Sequence, residues 1–240
     1  MAVLCPQYGL LYLCVPKTGS SSVSRFLMDH AGGQWLPEEH IFNRRGEIVA
    51  DRKHATLDQL KEHGLLSEEE IQKLTILISV RNPFDLVLSN YFFEKKIYRE
   101  FRAGIRGRSL PGRRFYFYLR DRFRLDRDNH YSWIMPQASR YRFTSRNSFT
   151  DYVKKYYAGK KGTMFLHFTG GTPFEFIKQE QLESGLAGML KSKGYEKEIE
   201  LPRLSESRNS PSRRKLYTDE ARAIIEHRYS DELEMFGYSF

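Results

Sequence analysis

The stretch YGLLYLCVPKTGSSSVSRFLMDH, residues 8–30, is the part of the chain whose reading decides the fold. Its first third, YGLLYLCV (8–15), is a continuous apolar run between Pro6 and Pro16, the pattern of a strand buried on both faces. Its last third places Val23, Phe26 and Leu27 at helical spacing. The residues between them are small and hydroxylated, so the order is strand, small-residue loop, helix. Such a junction aims several backbone N–H groups and the positive end of a helix dipole at one point, and Thr18, Ser20, Ser21 and Ser22 add hydroxyl donors there. An anion belongs at that point; the plainer alternative is a Ser-rich helix cap with Lys17 in solvent. A nucleoside triphosphatase loop would read GxxxxGK[ST], with its lysine after the glycine. Here Lys17 precedes Gly19 and stands at the end of the strand, where it can reach over a phosphate already seated on the backbone. That order argues against a kinase-like nucleotide enzyme.

Working outward, LTILISV (74–80) is a second buried-strand pattern, and TMFLHF (163–168) and FEFIK (174–178) are two shorter strand candidates. Helix signals lie between them. Thr56 with Gln59 forms a capping box before LDQLKEH, with Gly64 as its stop, and Ser67 with Glu70 forms another before IQKL. A helix over 181–193 ends at Gly194, and Thr218 opens one with Asp219 and Glu220 in its first turn, where the dipole favours acids. Strands separated by helices predict an α/β fold, a P-loop-like parallel sheet flanked by helices. The expected organisation is one domain over residues 1–240 with a basic, aromatic-rich insertion at approximately 96–160.

The composition supports a globular chain. At 240 residues, 40% hydrophobic and 14% aromatic, it can build a core, which excludes a wholly disordered protein. The longest apolar stretch is too short to span a bilayer, the first residues lack the basic start of a signal peptide, and two cysteines make no disulfide framework or zinc spacing. The expected setting is reducing and cytoplasmic, with no membrane association and no metal. Lys and Arg number 39 against 30 Asp and Glu, a net charge of +9. Residues 94–127 hold twelve Lys/Arg against four acids, and the run RAGIRGRSLPGRR within them has Gly and Pro at loop density. This segment reads as a solvated basic face, as a cradle for a polyanion, or as a nucleic-acid-binding module with stacking aromatics. Asp126-Arg127-Asp128 spells a DxD but sits among arginines and carries no metal expectation.

The second buried strand runs into ISVRNPFDLVLSNYFF, with Arg81 at its carboxyl end, Asn82 as N-cap, Pro83 at the first helical position and Asp85 in the first turn. Ligands of an open parallel sheet collect beyond the carboxyl ends of its strands, so Arg81 and the Lys17 loop are expected to face one crevice. A guanidinium there, with the hydroxyl of Ser89, suits a second phosphate.

The pair PKTGSSS and VRNPxxxxxSxY resembles the PAPS-dependent sulfotransferases, most closely their carbohydrate-type and bacterial branch. KHATLDQL (53–60) is similar to the segment before the second motif in bacterial members. The stretches at 174–195 and 217–240 look like the family's strand-and-helix region and terminal helix. About two thirds of the chain is covered, with 96–160 the main exception. The resemblance implies that Lys17, Thr18, Gly19, Ser20, Ser21 and Ser22 bind the 5′-phosphosulfate of the donor PAPS, and that Arg81 and Ser89 bind its 3′-phosphate. It also makes Arg208, Arg213 and Arg214, in SESRNSPSRRK (205–215), candidates to close over that phosphate.

The implied reaction moves a sulfuryl group from PAPS to a hydroxyl and leaves PAP. Lys17 would stabilise the leaving oxygen, and His54, in the KHAT segment, is the expected base, with His40 or its neighbours Glu38 and Glu39 as alternatives. Arg113, Arg114, His40 and Gln137 are candidate acceptor contacts. The second motif and the basic segment favour a carbohydrate or acidic glycan as acceptor; a small hydroxylated metabolite is the alternative. No specific nucleic acid is expected as partner, and the sequence does not indicate an oligomeric state.

Overall fold

The computed structural model describes residues 2–44, 48–52, 54–107, 138–202, 204 and 211–240. They fall into two compact units, one of Met1–Leu86, Lys160–Asn209 and Glu226–Phe240, the other of Val87–Gly159 and Ser210–Ile225.

The first unit is built on a five-stranded sheet. Strand β1 (Ala2–Cys5) turns through a 3-10 turn at Pro6–Tyr8, closed by Gly9 in the left-handed region, into β2 (Leu10–Leu13). Further strands are β3 (Gln34–Leu36), β6 (Thr75–Val80) and β7 (Glu175–Lys178), while β4 (Ile41–Phe42) and β5 (Ile48–Ala50) form a separate antiparallel ribbon. The sheet order is β3-β1-β2-β6-β7. Strands β2, β6 and β7 run parallel, as expected, but β1 is antiparallel to both β2 and β3, so the sheet is mixed. The connection over 6–9 is far too short for the crossover a parallel partner requires, and it dictates a hairpin. The same turn takes Tyr8 and Gly9 out of the strand expected over 8–15.

Side chains alternate along each strand, and both faces are covered. Leu11, Leu13 and Val15 join Ile76, Ile78 and Val80 against helices α2 (Leu57–Glu62) and α3 (Glu68–Gln72), with Phe165 and Phe236. Leu10, Tyr12, Cys14, Leu77 and Ile177 face the other way, against Val23, Phe26 and Leu27 of α1 (Ser20–His30). Two-sided burial explains why the run at 10–15 reads as apolar without alternation. Truncating one such leucine to alanine costs about 2–5 kcal/mol. Both capping boxes form, on Thr56 with Gln59 and on Ser67 with Glu70.

Helix α4 (Pro83–Gly107) begins in the first unit and supplies much of the second. Residues 102–107 are therefore helical, not the loop that their glycines suggested; a glycine costs a helix interior only about 1 kcal/mol, which the rest of a long helix absorbs. Helices α5 (Ala138–Arg146) and α6 (Phe149–Tyr157) follow. In the second unit, buried Glu94 accepts from Arg140 Nε and from Tyr152 Oη on one oxygen and from Thr144 Oγ1 on the other, at 2.8, 3.1 and 2.7 Å. Tyr91 packs edge-on against Phe149 and at a tilt against Tyr152 around this knot.

Back in the first unit, the stretch 163–168 is not a strand. It contains the short helix α7 (Leu166–Thr169), and the buried carboxylate of Glu232 accepts from the N–H groups of Met164, Phe165 and Leu166 at 2.8–3.1 Å. Those are donors that a strand ladder would need. Helices α8 (Leu182–Ser192), α9 (Asp219–Arg228) and α10 (Ser230–Met235), the last carrying Glu232, complete the chain.

Candidate active site

Strands β2 and β6 are parallel neighbours, with Leu13 opposite Ile78, so their carboxyl ends emerge side by side. The first leads into the Lys17 loop and the second into Arg81. Register thus unites two motifs that are far apart in the chain.

The loop is held from below by hydroxyls. Thr18 is fully buried; its Oγ1 donates to the carbonyl of Val15 at 2.9 Å and lies 2.6 Å from Ser79 Oγ, which is 2.6 Å from Tyr12 Oη. The side chain of Thr18 is thus turned inward, leaving its backbone as the part that can meet an anion. Gly19 is the N-cap of α1, at φ 83°, and no side chain caps the helix there. A Cβ at Gly19 would push aside the end of the Leu182 side chain, and the left-handed φ is the stronger ground for glycine there. Ser20 is buried, Ser21 and Ser22 are half-buried, and Ser22 N–H returns to the Gly19 carbonyl at 3.0 Å. An uncapped helix start of this kind favours an anion through both its N–H groups and its dipole.

Arg81 is 1% exposed, and its Nη1 donates to the Lys17 carbonyl at 3.0 Å. Burial lowers the guanidinium pKa from its usual value, while the negative potential of the Asp85 and Glu180 carboxylates works in the opposite direction. Arginine remains charged under these influences. Asn82 caps α4 as expected: its Oδ1 accepts from Phe84 N–H at 3.1 Å, and its Nδ2 donates to the Ser239 carbonyl at 2.7 Å. Ser89 lies further along α4, buried, in the second unit.

His54 is half-buried, and its Nδ1 is 2.9 Å from the carbonyl oxygen of Cys14, just before the Lys17 loop. A carbonyl only accepts, so the bonded nitrogen carries the proton, and in the neutral ring the lone pair is on Nε2. His40 has the opposite arrangement. Its Nδ1 accepts from the Arg52 N–H at 3.1 Å, which puts the proton of the neutral ring on Nε2. Its Nδ1 also lies 3.8 Å from Asp51, and Glu38 and Glu39 beside it are exposed.

A sulfotransferase-family model matches residues 1–167, well over half of the chain. The chain belongs to the sulfotransferase family. By family this sulfotransferase is an enzyme with PAPS as its donor, and the α/β sheet flanked by helices agrees with that fold. No curated protein and no solved structure matches it significantly. Among the described residues no helix is long and apolar enough to cross a membrane, and no group of three or more His, Cys, Asp or Glu is arranged to hold a metal ion.

The remaining candidates are dispersed. Arg113, Arg114, Gln137 and Arg208 lie outside the described residues, as do most of 94–127. Arg213 and Arg214 belong to a 3-10 turn at Pro211–Leu216 in the second unit, where Arg214 is half-buried. Sequence reasoning missed four residues that shape the site: Tyr12 and Ser79, which brace Thr18, Glu180, whose carboxylate acts on Arg81, and Tyr238, which donates to that carboxylate. Ser79 had left a signal, as a hydroxyl within the apolar run 76–80 near the carboxyl end of the strand.

Proposed function

We propose that this sulfotransferase transfers the sulfuryl group of PAPS to a hydroxyl of a carbohydrate or acidic glycan, with the Lys17 loop and Arg81 as the donor site and His54 as the base. The observation that carries the reading is the seating of both motifs at adjacent strand ends, joined by the bond from Arg81 to the Lys17 carbonyl.

The backbone N–H groups from Thr18 to Ser21 and the Ser22 hydroxyl hold the 5′-phosphosulfate, and the family resemblance assigns Arg81 and Ser89 to the 3′-phosphate, with Arg208, Arg213 and Arg214 to close over it. As the acceptor oxygen bonds to sulfur, the bond from sulfur to the bridging oxygen breaks and its electron pair stays on the phosphate, giving PAP. Lys17 stabilises that developing charge, and the acceptor proton passes to His54 Nε2. Positioning and charge stabilisation dominate such an in-line displacement. The basic segment 94–127, with Arg113 and Arg114, supplies positive charge for an anionic acceptor, while His40 and Gln137 are further acceptor contacts. Only two cysteines in the chain fit a reducing, cytoplasmic setting.

The test combines binding and turnover. Calorimetry should find that PAP binds more tightly than AMP, and His54→Ala should keep PAP affinity within about twofold while lowering transfer by roughly 10²- to 10⁴-fold. PAP binding no better than AMP removes the donor assignment; near-normal turnover of His54→Ala removes the base. Replacing Arg113 and Arg114 together by Ala should raise KM for a sulfated or carboxylated glycan and leave PAP affinity alone. An unchanged KM would leave the glycan reading without its basic cradle.

A further inference from the structure

Lys17 is the one non-glycine residue among the described residues in the left-handed region, at φ 67°. For a residue with a Cβ this conformation is strained and persists only where the surroundings impose it. The surroundings here are specific. On one side the Thr18 hydroxyl is tied to Val15 and Ser79, and on the other Gly19 opens α1. Between them the Lys17 carbonyl is gripped by Arg81.

That carbonyl belongs to the same peptide unit as the Thr18 N–H. A charged donor on the oxygen polarises the unit and strengthens the N–H at its other end as a donor, because hydrogen bonds in a chain reinforce one another. An N–H so polarised stands in the loop that receives the 5′ groups of the donor. Arg81 is also held in place itself. It is 1% exposed, in the field of the Asp85 and Glu180 carboxylates, and Tyr238 Oη donates to Glu180 at 2.9 Å. The next residue, Asn82, is tied to the Ser239 carbonyl.

We propose that Arg81 is a positioning residue for the 5′ loop: through the Lys17 carbonyl it holds the left-handed turn and sharpens the loop as an anion site, beyond any contact with a 3′-phosphate. This inference rests on the donor reading above and assigns to the second motif control over the geometry of the first.

The experiment uses two ligands that share the 5′-phosphate and differ in the 3′-phosphate, PAP and AMP, titrated into the full chain and its Arg81→Lys variant. A residue that only contacts the 3′-phosphate would weaken PAP and leave AMP unchanged. A residue that holds the loop weakens both, and the expected loss for AMP is fivefold or more, with kcat at saturating PAPS down about tenfold as Lys17 moves off its mark. In a Lys17→Gly background, where the left-handed turn carries no penalty, Arg81→Lys should weaken AMP by a smaller factor than in wild type, because only the polarisation of the Thr18 N–H is then lost. Should Arg81→Lys not fold, as judged by circular dichroism, Tyr238→Phe takes its place. It removes a half-buried hydroxyl beside the arginine and should weaken both ligands by a common factor of two to three.

AMP affinity within twofold of wild type, with PAP alone weakened, overturns the proposal and leaves the donor reading standing. Failure of wild type to prefer PAP over AMP overturns the donor reading and this inference with it.

Discussion

Arg81 in the first unit and Arg140 in the second are both drawn into the protein, and their surroundings treat the charge in opposite ways. Around Arg140, burial lowers the pKa, but the charge and hydrogen bonds of Glu94, helped by Tyr152, more than offset it and raise the guanidinium above its usual value. The carboxylate itself is satisfied by Arg140, Thr144 and Tyr152. Around Arg81, burial prevails and the pKa falls, because the acids act through space and the hydrogen bond from its Nη1 goes to a neutral carbonyl. The first arrangement locks helices together. The second keeps positive potential at a strand end, which suits the proposed site for a nucleotide with two anionic groups.

If that contrast is right, the largest effect belongs to the knot. Glu94→Ala should destabilise the protein by about 3 kcal/mol, since it strands partners that were arranged around a buried carboxylate. Thermal unfolding would show this, while the folded fraction retains wild-type PAP affinity; a selective loss of PAP affinity would show that the two regions are not functionally separate. Next comes Lys17→Ala, expected to lower kcat by about 10²-fold, near 2.7 kcal/mol, with little change in melting temperature. Unchanged turnover would remove Lys17 from the chemistry.

Smaller effects probe the loop's support. Thr18→Val should cost about 1–2 kcal/mol of stability, because Ser79 and the Val15 carbonyl lose a buried hydroxyl partner. A variant as stable as wild type would show that this hydroxyl bridge does not hold the loop. Lys17→Gly should lose transfer as Lys17→Ala does, yet gain about 1 kcal/mol of stability over Lys17→Ala by releasing the left-handed strain. Equal melting temperatures for the two variants would mean that no strain is stored at Lys17.

Legibility followed the range of the interactions. The capping boxes at Thr56 and Ser67, the Asn82-Pro83 helix start and the strand at 75–80 were all readable, because each is decided within a few residues. The same local logic failed at 163–168, where apolar and β-branched residues looked like a strand but Glu232, far along the chain, claims their N–H groups. It also failed for Thr18, counted as an anion donor although its hydroxyl is bonded into the core.

By itself, the sequence determined the strand-loop-helix at 10–30, the arginine after the second buried strand and the sulfotransferase resemblance, because periodicity, capping and motif order are written in neighbouring residues. Tertiary structure alone decided the antiparallel edge of the sheet, the tautomer of His54 through the Cys14 carbonyl, and the bond from Arg81 to Lys17. Each of these depends on which distant backbone group the register of β1, β2 and β6 brings within about 3 Å, and hydrogen bonds are short and directional enough that this placement settles the outcome.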